Sequence, residues 1–152
     1  MVAASRPAQA GFTLIELMIV ITVIALMSAL VVLAFPDPRG RLIDEAERFA
    51  ARARTAHDLA IVEGRSTSIW VSPGGYGFDR REGGKWVPMG DKAMTVTSWG
   101  RDVRPVLDEA RARIIFDSTG LASAPMRVQL RRGADAAAVV TIGADGRVTI
   151  NG

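Results

Sequence analysis

The sequence predicts an α+β fold in which a long N-terminal helix, membrane-spanning and then amphipathic, packs on an antiparallel β-rich C-terminal domain. Three observations predict it. Leu17 to Phe35 is an apolar run without a charge, in which only Thr22 and Ser28 are strongly polar. From Arg41 to Glu63, apolar residues recur three and four positions apart, the spacing of one helix face. After Gly64 the period becomes two, and short runs rich in β-branched and aromatic residues alternate with glycine-bearing turns.

Counted from Phe12, the apolar segment has 24 residues. As a helix it would reach about 36 Å, enough for a hydrocarbon core of roughly 30 Å. We therefore read 12–35 as a transmembrane helix. A cleaved secretory signal would have an apolar region of only about 7–15 residues. Glu16 is the odd residue, because a carboxylate at the bilayer centre costs roughly 2.5–3.5 kcal/mol on insertion scales and needs a partner. It is a candidate functional residue on physical grounds alone.

Pro36-Asp37-Pro38-Arg39-Gly40 interrupts the pattern, since proline lacks an amide donor and pushes the residue before it towards extended geometry. A kink or short break is expected there, with 36–64 as a kinked continuation of the helix. Helical character resumes near Arg41. Leu42, Ala46, Phe49, Ala53, Ala56 and Ala60 form one apolar stripe, rich in alanine and so suited to close approach to a sheet. Glu63-Gly64 supplies the end, because glycine adopts a left-handed cap at little cost.

Residues 65–152 form the β-rich domain. Thr67 to Ser72 is its first strand, Pro73-Gly74-Gly75 turns into Tyr76 to Asp79, and Glu82-Gly83-Gly84 turns into Lys85 to Val87. Met94 to Trp99 reads as a strand, and Gly100 to Arg111 as an irregular exposed loop. Four further strands are expected at Arg113 to Asp117, Met126 to Arg131, Ala137 to Ile142 and Arg147 to Ile150. Met126, Val128 and Leu130 alternate with Arg127, Gln129 and Arg131, which gives that strand one buried and one wet face. The domain is small and must hold by packing alone, since the sequence has no cysteine. The formal charge of +3 implies solubility more than a partner.

Gly11-Phe12-Thr13-Leu14-Ile15-Glu16-Leu17, followed by an apolar helix, resembles the class III signal of type IV pilins and type II secretion pseudopilins. The C-terminal run Ile114-Ile115-Phe116-Asp117-Ser118-Thr119-Gly120, with Gly146-Arg147-Val148-Thr149-Ile150, is similar to GspH/FimT-type minor pseudopilins. The resemblance implies a pilin-like fold and a leader at 1–11. It also implies cleavage by prepilin peptidase between Gly11 and Phe12, and N-methylation of Phe12. Glu16 would then pair with the N-terminal ammonium of a neighbouring subunit as the helix leaves the membrane for the filament. An opposite charge offsets the desolvation of a buried carboxylate, so the pairing is physically sound. The implied partners are prepilin peptidase, other major and minor pseudopilins in a hetero-oligomeric filament, an inner-membrane assembly platform and membrane lipid. Orientation also follows from the resemblance: the leader stays cytoplasmic and the C-terminal domain is periplasmic, although the arginines after the helix outnumber Arg6 before it.

Catalysis finds little footing. The one histidine, His57, lies among helix alanines, where a structural or solvated role is the expectation. Asp79, Glu82 and Asp91 lack the spacing of a calcium loop, and no cofactor or metal is expected. Gly74-Gly75-Tyr76-Gly77 lies between strands without a P-loop lysine and reads as a hairpin turn. Trp70, Trp86 and Trp99 are assigned to core or subunit contacts. The rival reading is a FimT-like type IV pilus minor pilin that binds and takes up DNA. Arg127, Arg131, Arg132 and Arg147 would form its basic stripe on neighbouring strands. Some FimT-type pilins use Gly-Arg-x-Arg for this, and here the second arginine is replaced in Gly146-Arg147-Val148-Thr149. The sequence therefore favours a non-enzymatic pseudopilin of the type II secretion pseudopilus, assembled near its tip to promote protein export, over a nucleic-acid binder.

Overall fold

Thr13 sets the start of the first helix, α1 (Leu14–Ala34). Its hydroxyl accepts a hydrogen bond from the Glu16 amide at 3.3 Å, and its carbonyl accepts from the amides of Glu16 and Leu17. Threonine is a favoured N-cap because its side chain satisfies one of the amides that a helix start leaves open. The Thr22 hydroxyl donates to the Met18 carbonyl at 2.7 Å and the Ser28 hydroxyl to the Ile24 carbonyl at 2.8 Å. The two hydroxyls of the apolar run are thus satisfied within the helix, as a lipid environment requires. Every side chain from Thr13 to Val31 is exposed, and Leu14–Val31 is long and apolar enough to cross a membrane.

The computed structural model describes residues 13–34, 38–133 and 136–151, and the chain divides after Pro36 into two units. The leader, the cleavage position and residues 35–37 of the expected interruption lie outside the described residues. The second helix, α2 (Pro38–Glu63), begins earlier than the expected resumption near Arg41. Pro38 fits there because the first helical position needs no amide donor. The whole alanine stripe is buried: Leu42 is 2% exposed, and Ala46, Phe49, Ala53, Ala56 and Ala60 are 0% exposed. Gly64, at φ +60°, follows the last helical residue.

Two antiparallel sheets receive this stripe. The first is ordered β3-β2-β1-β6, from β1 (Thr67–Ser72), β2 (Gly75–Glu82), β3 (Lys85–Pro88) and β6 (Ala112–Phe116). A two-residue β4 (Thr97–Ser98) also pairs with β2. The second is ordered β5-β7-β8-β9, from β5 (Val103–Val106), β7 (Met126–Arg132), β8 (Ala136–Ile142) and β9 (Val148–Asn151). Ile69, Val71, Tyr76, Phe78, Ile114 and Phe116 supply the core from the first sheet; Val128, Leu130, Ala138, Val140 and Ile142 supply it from the second. Burial in β7 follows the expected alternation, with Val128 and Leu130 buried and Arg127 and Arg131 exposed. At the helix, the buried Thr67 hydroxyl donates to the Ala56 carbonyl at 2.9 Å. The segment after β6 meets the β8–β9 turn where the Ala122 amide donates to the Ala144 carbonyl at 3.0 Å.

Two expectations fail in the middle of the domain. Met94 to Trp99 forms a ladder only at Thr97–Ser98, because its anchors are side chains. Met94 is buried, and Trp99 packs on Tyr76 at 4.6 Å and Phe49 at 5.6 Å between ring centroids while its indole N–H donates to the Ser72 carbonyl. Gly100 to Arg111, read as a loop, contains β5. Pro105 hides that strand from a propensity reading, yet an edge strand tolerates proline where the missing amide faces outward.

Candidate functional site

Glu16 lies in the first turn of α1, three residues after the Thr13 cap, and is exposed. Thr13-Leu14-Ile15-Glu16 has capping-box spacing, and a carboxylate here sits at the positive end of the helix dipole. Its position is therefore set by a local rule. Gly11 and Phe12 lie outside the described residues.

The four arginines of the candidate basic stripe do not form one stripe. Arg127 and Arg131 share the outer face of β7. Arg132 is one residue further on, so its side chain falls on the opposite face, where it is half-buried opposite Val103. Neither Arg131 nor Arg132 is an unengaged cation. Arg147 stands in the turn before β9 and pairs with Asp145 at 3.3 Å. The member that was missed is Arg104, directly opposite Arg131 across the β5–β7 ladder. Its strand, β5, carries Pro105 and lacks the alternating pattern that marks a strand in the sequence. Asp102 lines the same shallow concavity as Arg104 and Arg131, and Asp108 and Glu109 flank Arg127.

His57 has a structural role that its sequence neighbours do not reveal. Its ring meets Phe116 edge-on at 5.5 Å, and Nδ1 is 3.0 Å from Asp58 Oδ1. The rest of the ring fits against two glycines from distant loops. A Cβ on Gly120 would stand 2.7 Å from His57 Nε2, and one on Gly146 would overlap both the ring and the Gly120 carbonyl. Both glycines have positive φ, +88° and +77°. Asp117 organises the first loop: its Oδ1 accepts from the Thr119 hydroxyl at 2.6 Å, the Thr119 amide at 2.8 Å and the Leu121 amide at 3.1 Å. The Thr119 hydroxyl and then its amide hold the Asp117 carboxyl below its ordinary range. No three His, Asp or Glu side chains among the described residues converge as a metal site.

Residues 6–32 match the prokaryotic N-terminal methylation motif, and residues 45–146 match the family described as Type II transport protein GspH. The chain belongs to the GspH family. The GspH match takes in α2 from Glu45 and both sheets as far as Gly146, including the loops that hold His57. Type II secretion system protein H of Aeromonas hydrophila is 31% identical over 94 residues, 59% of this chain and 51% of that protein. The protein H of Pseudomonas aeruginosa is 31% identical over 96 residues, 60% of this chain and 56% of that one. This GspH-family chain thus spans about half the length of the curated relatives it matches. Among solved structures, the minor pseudopilin EpsH of the Vibrio cholerae type 2 secretion system superposes with a TM-score of 0.62 at 18% identity, covering 73% of this chain and 96% of that one. The type IV minor pilin FimU of Pseudomonas aeruginosa gives 0.61 at 17% identity, covering 75% and 90%. At such identities the two likenesses establish a pilin-like fold.

Proposed function

We propose that this chain is a minor pseudopilin of a type II secretion pseudopilus, added at or near the filament tip to promote protein export across the outer membrane. One observation carries the reading: an N-terminal methylation motif over 6–32 and a GspH match over 45–146 stand on the same chain. In this reading residues 1–11 are a cytoplasmic leader, prepilin peptidase cuts between Gly11 and Phe12, and Phe12 is N-methylated. Residues 12–35 anchor the subunit in the inner membrane and the β-rich domain lies in the periplasm. Glu16 pairs with a neighbour's N-terminal ammonium, so its register is set by charge. The partners are the peptidase, the other major and minor pseudopilins, the assembly platform and lipid. The protein acts by assembly and performs no catalysis.

DNA uptake, the rival reading, needs an arginine stripe. The geometry places Arg132 on the opposite face of β7 and pairs Arg147 with Asp145. It does not favour that reading.

Processing and incorporation test the proposal together. Gly11→Ala should leave a precursor about 1 kDa heavier than the mature chain, as retention of a short leader requires. Glu16→Ala and Glu16→Gln should both be cut normally yet enter filaments poorly. The glutamine keeps the polar capping partner and loses only the charge, leaving the ammonium unpaired. Normal processing of Gly11→Ala, or incorporation of Glu16→Gln at the wild-type level, would contradict the assigned roles.

A further inference from the structure

The outer face of the first sheet carries a layer of tryptophan and arginine that the assembly role leaves unused. Trp70 lies opposite Gly77 across the β1–β2 ladder. A Cβ on Gly77 would overlap the indole, so the ring lies against the β2 backbone in space that only glycine leaves. The Arg111 guanidinium stacks on that ring, its Cζ 4.1 Å from the centroid. Trp86 on β3 stands opposite Arg81, whose Cζ is 5.0 Å from the ring centroid, while that of Arg113 is 5.5 Å away. Both tryptophans stay half-buried, whereas α2 closes the other face of the same sheet.

The charges on this face are unequal. Arg113 is committed, donating from Nη2 to Asp79 Oδ2 at 2.8 Å and from Nη1 to the Ser68 hydroxyl at 3.1 Å. Arg81 and Arg111 are exposed, and neither forms an ion pair or a side-chain hydrogen bond with any described residue; each is held against an indole. A guanidinium stacked on an aromatic ring keeps its in-plane donors available in a fixed orientation, the geometry that matches a carboxylate bidentately. Tryptophan and arginine are also the residue types that carry most binding energy at protein interfaces.

We infer that this face docks an acidic partner protein, which presents carboxylates to Arg81 and Arg111 as it covers Trp70 and Trp86. Charge complementarity selects the occupant, because Asp79 is taken by Arg113 while Arg81 and Arg111 pair with no carboxylate among the described residues. A nucleic-acid strand fits less well. It binds by stacking bases on open ring faces, and the two faces of Trp70 are already flanked by the β2 backbone at Gly77 and by the Arg111 guanidinium.

The test uses the full chain in phosphatidylcholine nanodiscs and follows tryptophan fluorescence. The probes are a capped hexaglutamate peptide and, separately, a thymidine hexanucleotide. Hexaglutamate should produce a saturable change, weakened about tenfold or more in Arg81→Gln/Arg111→Gln, as expected when charge-paired donors are truncated. Arg81→Lys/Arg111→Lys keeps the charge but not the fork, so it should weaken binding as well. Arg104→Gln/Arg127→Gln, on the other sheet, should bind like the wild type. The proposal is overturned if the peptide gives no saturable change, if the Arg81/Arg111 variants bind it unchanged, if the Arg104/Arg127 variant loses it, or if the oligonucleotide binds more tightly.

Discussion

His57 fills the space that Gly120 and Gly146 leave by having no side chain, and this contact ties α2 to two loops. Gly146→Ala would force an L-residue to φ +77° and drive a methyl group into the Gly120 carbonyl and the imidazole. We expect a loss of about 2 kcal/mol or more from the left-handed conformation and the overlap together. Denaturant unfolding of the unit from Asp37 onward would read it, and an unchanged midpoint would refute the packing role. Gly146 was visible in the sequence as part of a turn. Its second role was not, because the histidine it touches lies far away in the chain. Arg132 teaches the converse. Successive residues of a strand point to opposite faces, so Arg131 and Arg132 could never have shared one stripe, and the alternation already read for Met126 to Arg131 was enough to show it.

Among the elements, α2 was the most legible, because its role is one of periodicity. Leu42, Ala46, Phe49, Ala53, Ala56 and Ala60 repeat at helical spacing, and all six are buried against the sheets. Alanine is what allows the approach, since larger side chains would hold the helix off the strands. Ala53→Leu should therefore cost about 1–3 kcal/mol through overpacking, despite leucine's good helix propensity. Thermal unfolding checks this, and a stabilised variant would mean that space remains at the interface. The strands β1, β7 and β8 were legible for the same reason, with two faces of different polarity or a dense β-branched run. β5 was not: it is four residues long, contains Pro105 and exposes Arg104 and Val106. Its register comes from pairing with β7, which is tertiary information. The 94–99 segment failed in the opposite sense, since Trp99 packs on Phe49 and Tyr76 and Met94 is buried, while Val96 is exposed and only Thr97–Ser98 pairs as a ladder.

At the scale of the whole molecule, the strands at the sheet edges are guarded against further pairing. Pro88 ends β3 and Pro105 interrupts β5. Ser123 covers β6 through its amide and hydroxyl, and Arg54 of α2 donates to the Val148 carbonyl on β9 at 3.0 Å. Uncontrolled strand pairing is thereby discouraged. In the proposed reading, association is left to the apolar helix α1, whose side chains are exposed from Leu14 to Val31. The candidate site was legible at its N-terminal end, where Glu16 violates the apolar pattern around it. The basic face was legible only as composition, because which arginines meet depends on sheet register. The measurement that tests the secretion role most directly is quantitative proteomics of the culture supernatant from a strain lacking this gene, with a complemented strain alongside. We expect a broad, complementable loss of secreted enzymes, which accumulate in the periplasm. An unchanged supernatant would contradict a place in the secretion pseudopilus.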